Sequence, residues 1–146
     1  MPTVFTVPGL LGLPRGVKFT DSTGTDYTVV RHGWFWCHRE HRVETHSYRD
    51  IELPVTVHDG LEVLKKTREI LVRDGWCQYV WNNQSGEHCL YDAVSMASPC
   101  DVDEYVAVQI IQGLVGGNII KWNDKPGRAK DEVLGVLDKA IKGVQR

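Results

Sequence analysis

The sequence predicts an α+β protein: a small N-terminal antiparallel β-sheet or barrel-like module packed on a C-terminal bundle of four or five helices. Two observations carry this prediction. Before Pro54 the apolar residues are aromatic or β-branched and alternate with polar ones, whereas after Gly60 they recur at helical spacing. No internal repeat, charge run or low-complexity tract interrupts either half, which sets aside solenoids and long linkers. The change of character near Pro54 to Gly60 divides the chain into a β-rich module, residues 1–57, and a helical domain, residues 58–146.

In the first module, Val17 to Phe19 reads as a strand, and Asp21-Ser22-Thr23-Gly24 as the turn that follows it. Tyr27 to Arg31 and Trp34 to His38 alternate as strands do, and a further strand is expected from about His41 to Tyr48. In the second, Asp59 three residues before Glu62 is a variant capping box ahead of Leu61, Leu64, Ile70 and Leu71, with Asp74-Gly75 as the stop. Gly75 to His88 reads as a short extended piece or hairpin. Cys89, Leu90, Ala93, Val94 and Ala97 then form one buried stripe, closed by Ser98-Pro99. Asp101 with Glu104 repeats the capping pattern before Val102, Val106, Ile110 and Leu114, and Gly116-Gly117 ends that helix. A last helix from about Arg128 carries Val133, Leu137, Ala140, Ile141 and Val144 on one side.

Composition narrows the function classes. Seventeen Lys plus Arg against nineteen Asp plus Glu give a formal charge of -2, so no overall field draws the chain to polyanions or anionic membranes. The apolar run from Tyr105 to Ile120 falls short of the roughly 20 residues that cross a bilayer. Met1 to Phe19 lacks a basic start and is broken by Pro2, Pro8 and Pro14, so it does not read as a secretory signal. A cytoplasmic location, the four cysteines reduced, and no membrane association are therefore expected.

Four segments carry a resemblance. Gly75-Trp76-Cys77-Gln78, Cys89-Leu90-Tyr91-Asp92-Ala93-Val94, Ile120-Lys121-Trp122-Asn123-Asp124 and Glu132-Val133-Leu134-Gly135-Val136-Leu137-Asp138 resemble, in order, a family of uncharacterised actinobacterial and actinophage proteins. The likeness spans about residues 58–144 and leaves the β-rich third uncovered. It implies an actinobacterial cell or its virus as the origin and brings no activity with it. The chain departs from the pattern at Tyr79 and at Tyr91-Asp92, where small residues usually stand.

Four kinds of chemistry are weighed against packing. Cys89 opens a helix, where the macrodipole would favour its thiolate, and with Cys77 and His88 it is the candidate for a cysteine-dependent enzyme. His88 at the adjacent position would point away from it, and buried, inert thiols are the preferred reading. Cys37, His38, His41 and His46 are candidate metal ligands, but their spacing lacks the paired pattern of structural zinc and no cofactor is expected. Trp34, Trp36, Arg39 and Arg42 combine aromatic and basic groups as single-strand nucleic-acid binders do, although packed aromatics are preferred. Gln78, Asp92, Asn123 and Asp124 are polar groups that could line a pocket in or beside the turn Trp122 to Gly127. No phosphate-cradling glycine loop is present. The expected function is that of a non-enzymatic, phage-encoded accessory protein that binds a host or phage protein with Trp34 or Trp81 in the contact, nucleic acid being the alternative partner.

Overall fold

A computed structural model describes residues 2–39 and 42–145 of the chain, with the backbone alone considered at Arg39 and at residues 42–45. The chain is α+β and forms two compact units, Met1–Asp59 and Gly60–Arg146.

The first unit holds β1 (Thr3–Val4), α1 (Val7–Leu11), β2 (Lys18–Thr20), β3 (Asp26–Arg31), β4 (Trp34–Arg39), β5 (Arg42–Ser47), a 3-10 turn (Tyr48–Asp50) and β6 (Val55–His58). The six strands form one antiparallel sheet in the order β1-β6-β2-β3-β4-β5. Two features depart from the sequence-based expectation. The Pro54 to Gly60 junction contains β6, which pairs with β2 through Phe19 opposite Val57 and with β1 through Val55 opposite Val4. The N-terminal segment contributes β1 and the one-and-a-half-turn α1, whose Leu10 is buried.

Alternation sorts this sheet into two faces. Phe19, Tyr27, Val29, Phe35, Cys37, Val55 and Val57 are buried together, with Phe19 stacked on Tyr27 at 5.2 Å and edge-on to Phe35 at 5.4 Å. Lys18, Thr20, Thr28, Trp34 and Trp36 fall on the opposite face. There the Lys18 ammonium donates to Thr28 Oγ1 (3.0 Å), and Thr28 Oγ1 lies 2.8 Å from His38 Nε2. The expected Asp21 turn is formed: Asp21 Oδ1 accepts from the Thr23 and Thr25 amides, and Gly24 closes it in a left-handed conformation. Burial alone would raise the Asp21 carboxyl, but the hydrogen bond from the Thr23 hydroxyl, with those from the backbone amides, outweighs it and holds it below the usual carboxylate value.

The second unit holds α2 (Leu61–Asp74), α3 (Leu90–Ala97), α4 (Asp101–Val115), α5 (Ile119–Asn123) and α6 (Lys130–Val144). The predicted α3 stripe is buried in full, from Cys89 to Ala97, and its Leu90, Ala93, Val94 and Ala97 join Leu64, Ile70, Leu71, Ile111, Ile119, Val133 and Leu137 in one core. Two helices differ from expectation in their ends, and α4 also in its buried face. α2 starts from a left-handed Gly60 rather than an Asp59 cap, and α4 starts from Cys100 rather than Asp101. The buried side of α4 is Asp103, Ala107 and Ile111, one residue on from the predicted stripe, so Leu114 lies outside. Trp122 and Asn123, expected in a turn that runs to Gly127, instead end a short helix, Ile119–Asn123, capped by the Asn118 side chain on the Ile120 and Lys121 amides. No helix among the described residues is long and apolar enough to cross a membrane.

Candidate functional site

The segment between α2 and α3, Gly75 to Cys89, where a short extended piece or hairpin is expected from Gly75 to His88, forms an irregular loop. Only isolated bridges link Trp76 and Asn82 to His88. With little regular ladder, its backbone groups must find partners one at a time. The Cys77 amide donates to the His88 carbonyl (3.0 Å), the His88 amide to the Gly75 carbonyl (3.1 Å) and the Cys89 amide to the Trp81 carbonyl (2.7 Å). Asn83 Oδ1 collects the Ser85 and Glu87 amides, closing the outer end of the loop. Gly75 is required where it stands: its φ is 99°, and an added Cβ would lie 2.9 Å from the Glu87 side chain.

Asn123, at the end of α5, ties this loop down. It is buried and uses every hydrogen-bonding position of its side chain. Oδ1 accepts from the Trp76 indole (2.6 Å) and from the Leu90 amide (3.1 Å), and Nδ2 donates to the Cys77 carbonyl (3.2 Å) and to Asp124 Oδ1 (2.8 Å). Indole and amide N–H groups can only donate, so the orientation of the carboxamide is fixed by its neighbours. Gln78 Nε2 donates to the Asn123 and Lys125 carbonyls, each at 2.9 Å, and Asp124 Oδ1 accepts the Tyr79 amide at 2.9 Å. Gln78, Asn123 and Asp124, candidates for the lining of a pocket, lie close together, but they are spent on one another and on the loop backbone. Asp92 stands apart from them, on His88.

His88, also buried, is the second fixture. Its Nδ1 lies 2.6 Å from Asp92 Oδ2 and its Nε2 3.2 Å from Asp74 Oδ2. Asp74 is held down at about 2, first by its hydrogen bond from Arg73, a two-pronged contact at 2.7 and 2.8 Å, and further by His88. With both ring nitrogens engaged by carboxylates, His88 is not directed at the neighbouring thiol.

The thiols themselves are free and buried at Cys77 and Cys89. Burial pushes Cys77 up to about 11, with Cys89 and Glu87 adding to the effect, and its Sγ donates to the Glu87 and Val80 carbonyls. Burial also raises Cys89, against the hydrogen bond that its Sγ accepts from the Asp92 amide at the start of α3. Both sulfurs are therefore held as neutral thiols at ordinary pH, one of them serving as a helix cap.

What this scaffolding leaves outside is Tyr79-Val80-Trp81. These three consecutive residues are 65%, 49% and 61% exposed. Tyr79 adopts φ 70°, a conformation that side chains other than glycine rarely take, and it is held there by Asp124. The Trp81 ring rests 5.9 Å from that of Tyr91, whose hydroxyl donates to Glu104 (2.7 Å).

The family model described as a family of unknown function, DUF6197, matches residues 56–143. The chain belongs to this family. No curated protein and no solved structure matches it. The whole pinned loop, with Asn123, Cys77 and Cys89, lies inside the DUF6197 region, and most of the first unit lies before it.

The remaining sequence candidates belong to that first unit. Cys37 is buried on the core face of β4 while His38 lies on the opposite face bonded to Thr28, and His46 packs edge-on to Tyr27 at 5.9 Å, so these three do not converge. Burial, and then Lys18, lowers the His38 imidazole below its ordinary value. His41 lies outside the described residues, as do the side chains of Arg39 and Arg42. Trp34 and Trp36, expected to pack, each leave 41% of their surface exposed.

Proposed function

We propose that this DUF6197 protein is a non-enzymatic accessory protein that acts by binding another protein, with the Tyr79-Val80-Trp81 loop as its anchor. One observation carries this reading: three adjacent apolar side chains stand exposed on a loop whose backbone is tied down from beneath by Gln78, Asp124 and Cys89. Exposed apolar clusters mark interaction surfaces, and Tyr and Trp are the side chains that most often dominate them. A loop already fixed in shape loses little conformational freedom when a partner closes over it, so more of the burial energy appears as affinity. The strained φ of Tyr79 fits this reading, because strain persists where the surroundings enforce a functional geometry. The motif resemblance supports a host or phage protein of an actinobacterial cytoplasm as the partner.

The test is retention of partner from a nuclease-treated actinobacterial lysate by the wild-type chain and by Tyr79→Ser and Trp81→Ser. A stoichiometric protein that is kept by the wild type and lost by either variant is expected, with thermal unfolding of the variants unchanged. Loss of an anchor of this type costs about 2 kcal/mol or more of binding energy. A partner retained equally by all three chains, or none retained by any, would overturn the assignment.

A further inference from the structure

The first unit carries a second exposed aromatic surface, built differently. β3 and β4 pair with Val29 opposite Phe35, but beyond Val29 the register slips by one, so that Arg31 stands opposite Trp34. A bulge of this kind re-aims a side chain. Here it turns Arg31 from the core face to the Trp34 face, where its guanidinium lies over the indole at 5.7 Å. The His32-Gly33 turn follows, and beside it the 3-10 turn brings Tyr48, with the Arg49 guanidinium 5.5 Å over its ring.

Between these parts lies a depression of about 320 Å³ lined by Leu11, His32, Gly33, Trp34, Tyr48 and Arg49, together with Ser47. Gly33 forms part of its floor. A Cβ at that position would reach 3.7 Å from Leu11 and 3.9 Å from Tyr48, and φ is 75°, so a side chain there would both fill the space and strain the turn. Trp36 is two residues along β4 on the same face, roughly 7 Å further. Among the described residues neither Arg31 nor Arg49 has an ion-pair partner, while the nearest carboxylate of the turn, Asp50, accepts from the Ser47 amide and hydroxyl. The surface thus offers two half-exposed indoles in series and two guanidinium groups over aromatic rings that form no ion pair among the described residues, the Asp50 carboxylate beside them lying 3.8 Å from His46 Nδ1.

We propose that this face binds single-stranded nucleic acid, with one base stacked in the depression at Trp34, the next on Trp36, and the phosphates beside Arg31 and Arg49. Stacking needs only a ring face and tolerates any base, and arginines placed over aromatic rings supply the charge that a strand requires. A folded protein would need a larger continuous apolar area, and the cations favour a polyanion. With a net charge of -2 on the whole chain, binding rests on this local patch and is sensitive to salt.

The test is fluorescence anisotropy of a labelled oligothymidylate with the full chain at low and moderate salt. Unlabelled duplex of mixed sequence and thymidine monophosphate serve as competitors. Trp34→Ala and Trp36→Ala should each weaken binding about 5- to 150-fold, the equivalent of one lost stacking partner. Arg31→Gln and Arg49→Gln should each reduce the slope of log affinity against log salt by about 0.7, a change that a folding defect would not produce. Absence of binding at low salt, affinity indifferent to all four variants, or displacement by duplex or monophosphate as effective as by single strand would overturn the proposal. Because Tyr79 and Trp81 take no part, their variants should bind the oligonucleotide like the wild type, which separates failure here from failure of the protein-binding loop.

Discussion

The two exposed aromatic surfaces reach the same end by opposite means. Trp34 and Trp36 stand outside because β4 alternates: Phe35 and Cys37 take the core, and period two leaves the indoles on the other face. Tyr79, Val80 and Trp81 obey no period. They are held out by contacts from elsewhere in the second unit, above all from Asn123, Asp124 and Cys89. Regular structure presents a surface through the backbone ladder, which is robust to single polar changes. An irregular loop depends on a few buried side chains, and its geometry is as fragile as the weakest of them.

The largest expected effect tests the first half of that contrast. Phe35→Ala empties a fully buried site that touches Phe19, and should lower unfolding stability by about 3–5 kcal/mol in urea denaturation. Trp36→Ala, one residue away on the exposed face, should change it by less than about 1 kcal/mol. Equal losses from the two would mean that the outer indole is structural and that alternation does not divide the strand.

Asn123→Ala probes the other half. The change leaves the Trp76 indole, the Leu90 amide and the Cys77 carbonyl without their buried partner, at about 1–3 kcal/mol each, and these costs do not simply add. A loss of about 2–4 kcal/mol is expected, accompanied by faster hydrogen exchange from Cys77 to Trp81. Stability lost without faster exchange in the loop would show that Asn123 supports the core and not the exposed aromatics.

The same contrast decides which parts of the fold and of the site are legible in the sequence. The α3 stripe from Cys89 to Ala97 and the alternation of β3 and β4 are local periodicities, so they can be read residue by residue. β6 cannot, because four residues between Pro54 and Gly60 carry too little pattern, and a strand between β1 and β2 is specified by its partners. α1 is only five residues long and contains Pro8. In the loop, the types of Gln78, Asn123 and Asp124 suggest a polar cluster, yet nothing local says that Asn123 bonds to residues more than forty positions away. The partners that sequence reasoning misses, Trp76 for Asn123 and Asp74 for His88, can be sought only by asking where a buried indole and imidazole would find acceptors.

The smallest effect concerns the thiols that the loop encloses. Cys77 stands at about 11 in the folded chain against an ordinary value of 9.0, because burial disfavours its charged form. Only the thiolate is alkylated, so at pH 9 its reaction with iodoacetamide should run roughly two orders of magnitude below that of an unfolded thiol, while the exposed Cys100 is modified first. The linkage has a definite sign. Below pH 9 both states keep the proton and the contribution to stability is fully present; between 9 and 11 the unfolded chain releases it more readily, so stability declines as pH rises through that window. Asn123→Ala, by loosening the loop, should bring Cys77 alkylation toward that of an unfolded thiol, whereas Trp36→Ala should leave it slow. Fast labelling of Cys77 in the unaltered protein near neutral pH would mean that the loop opens readily, and the fixed presentation of Tyr79 and Trp81 would fall with it.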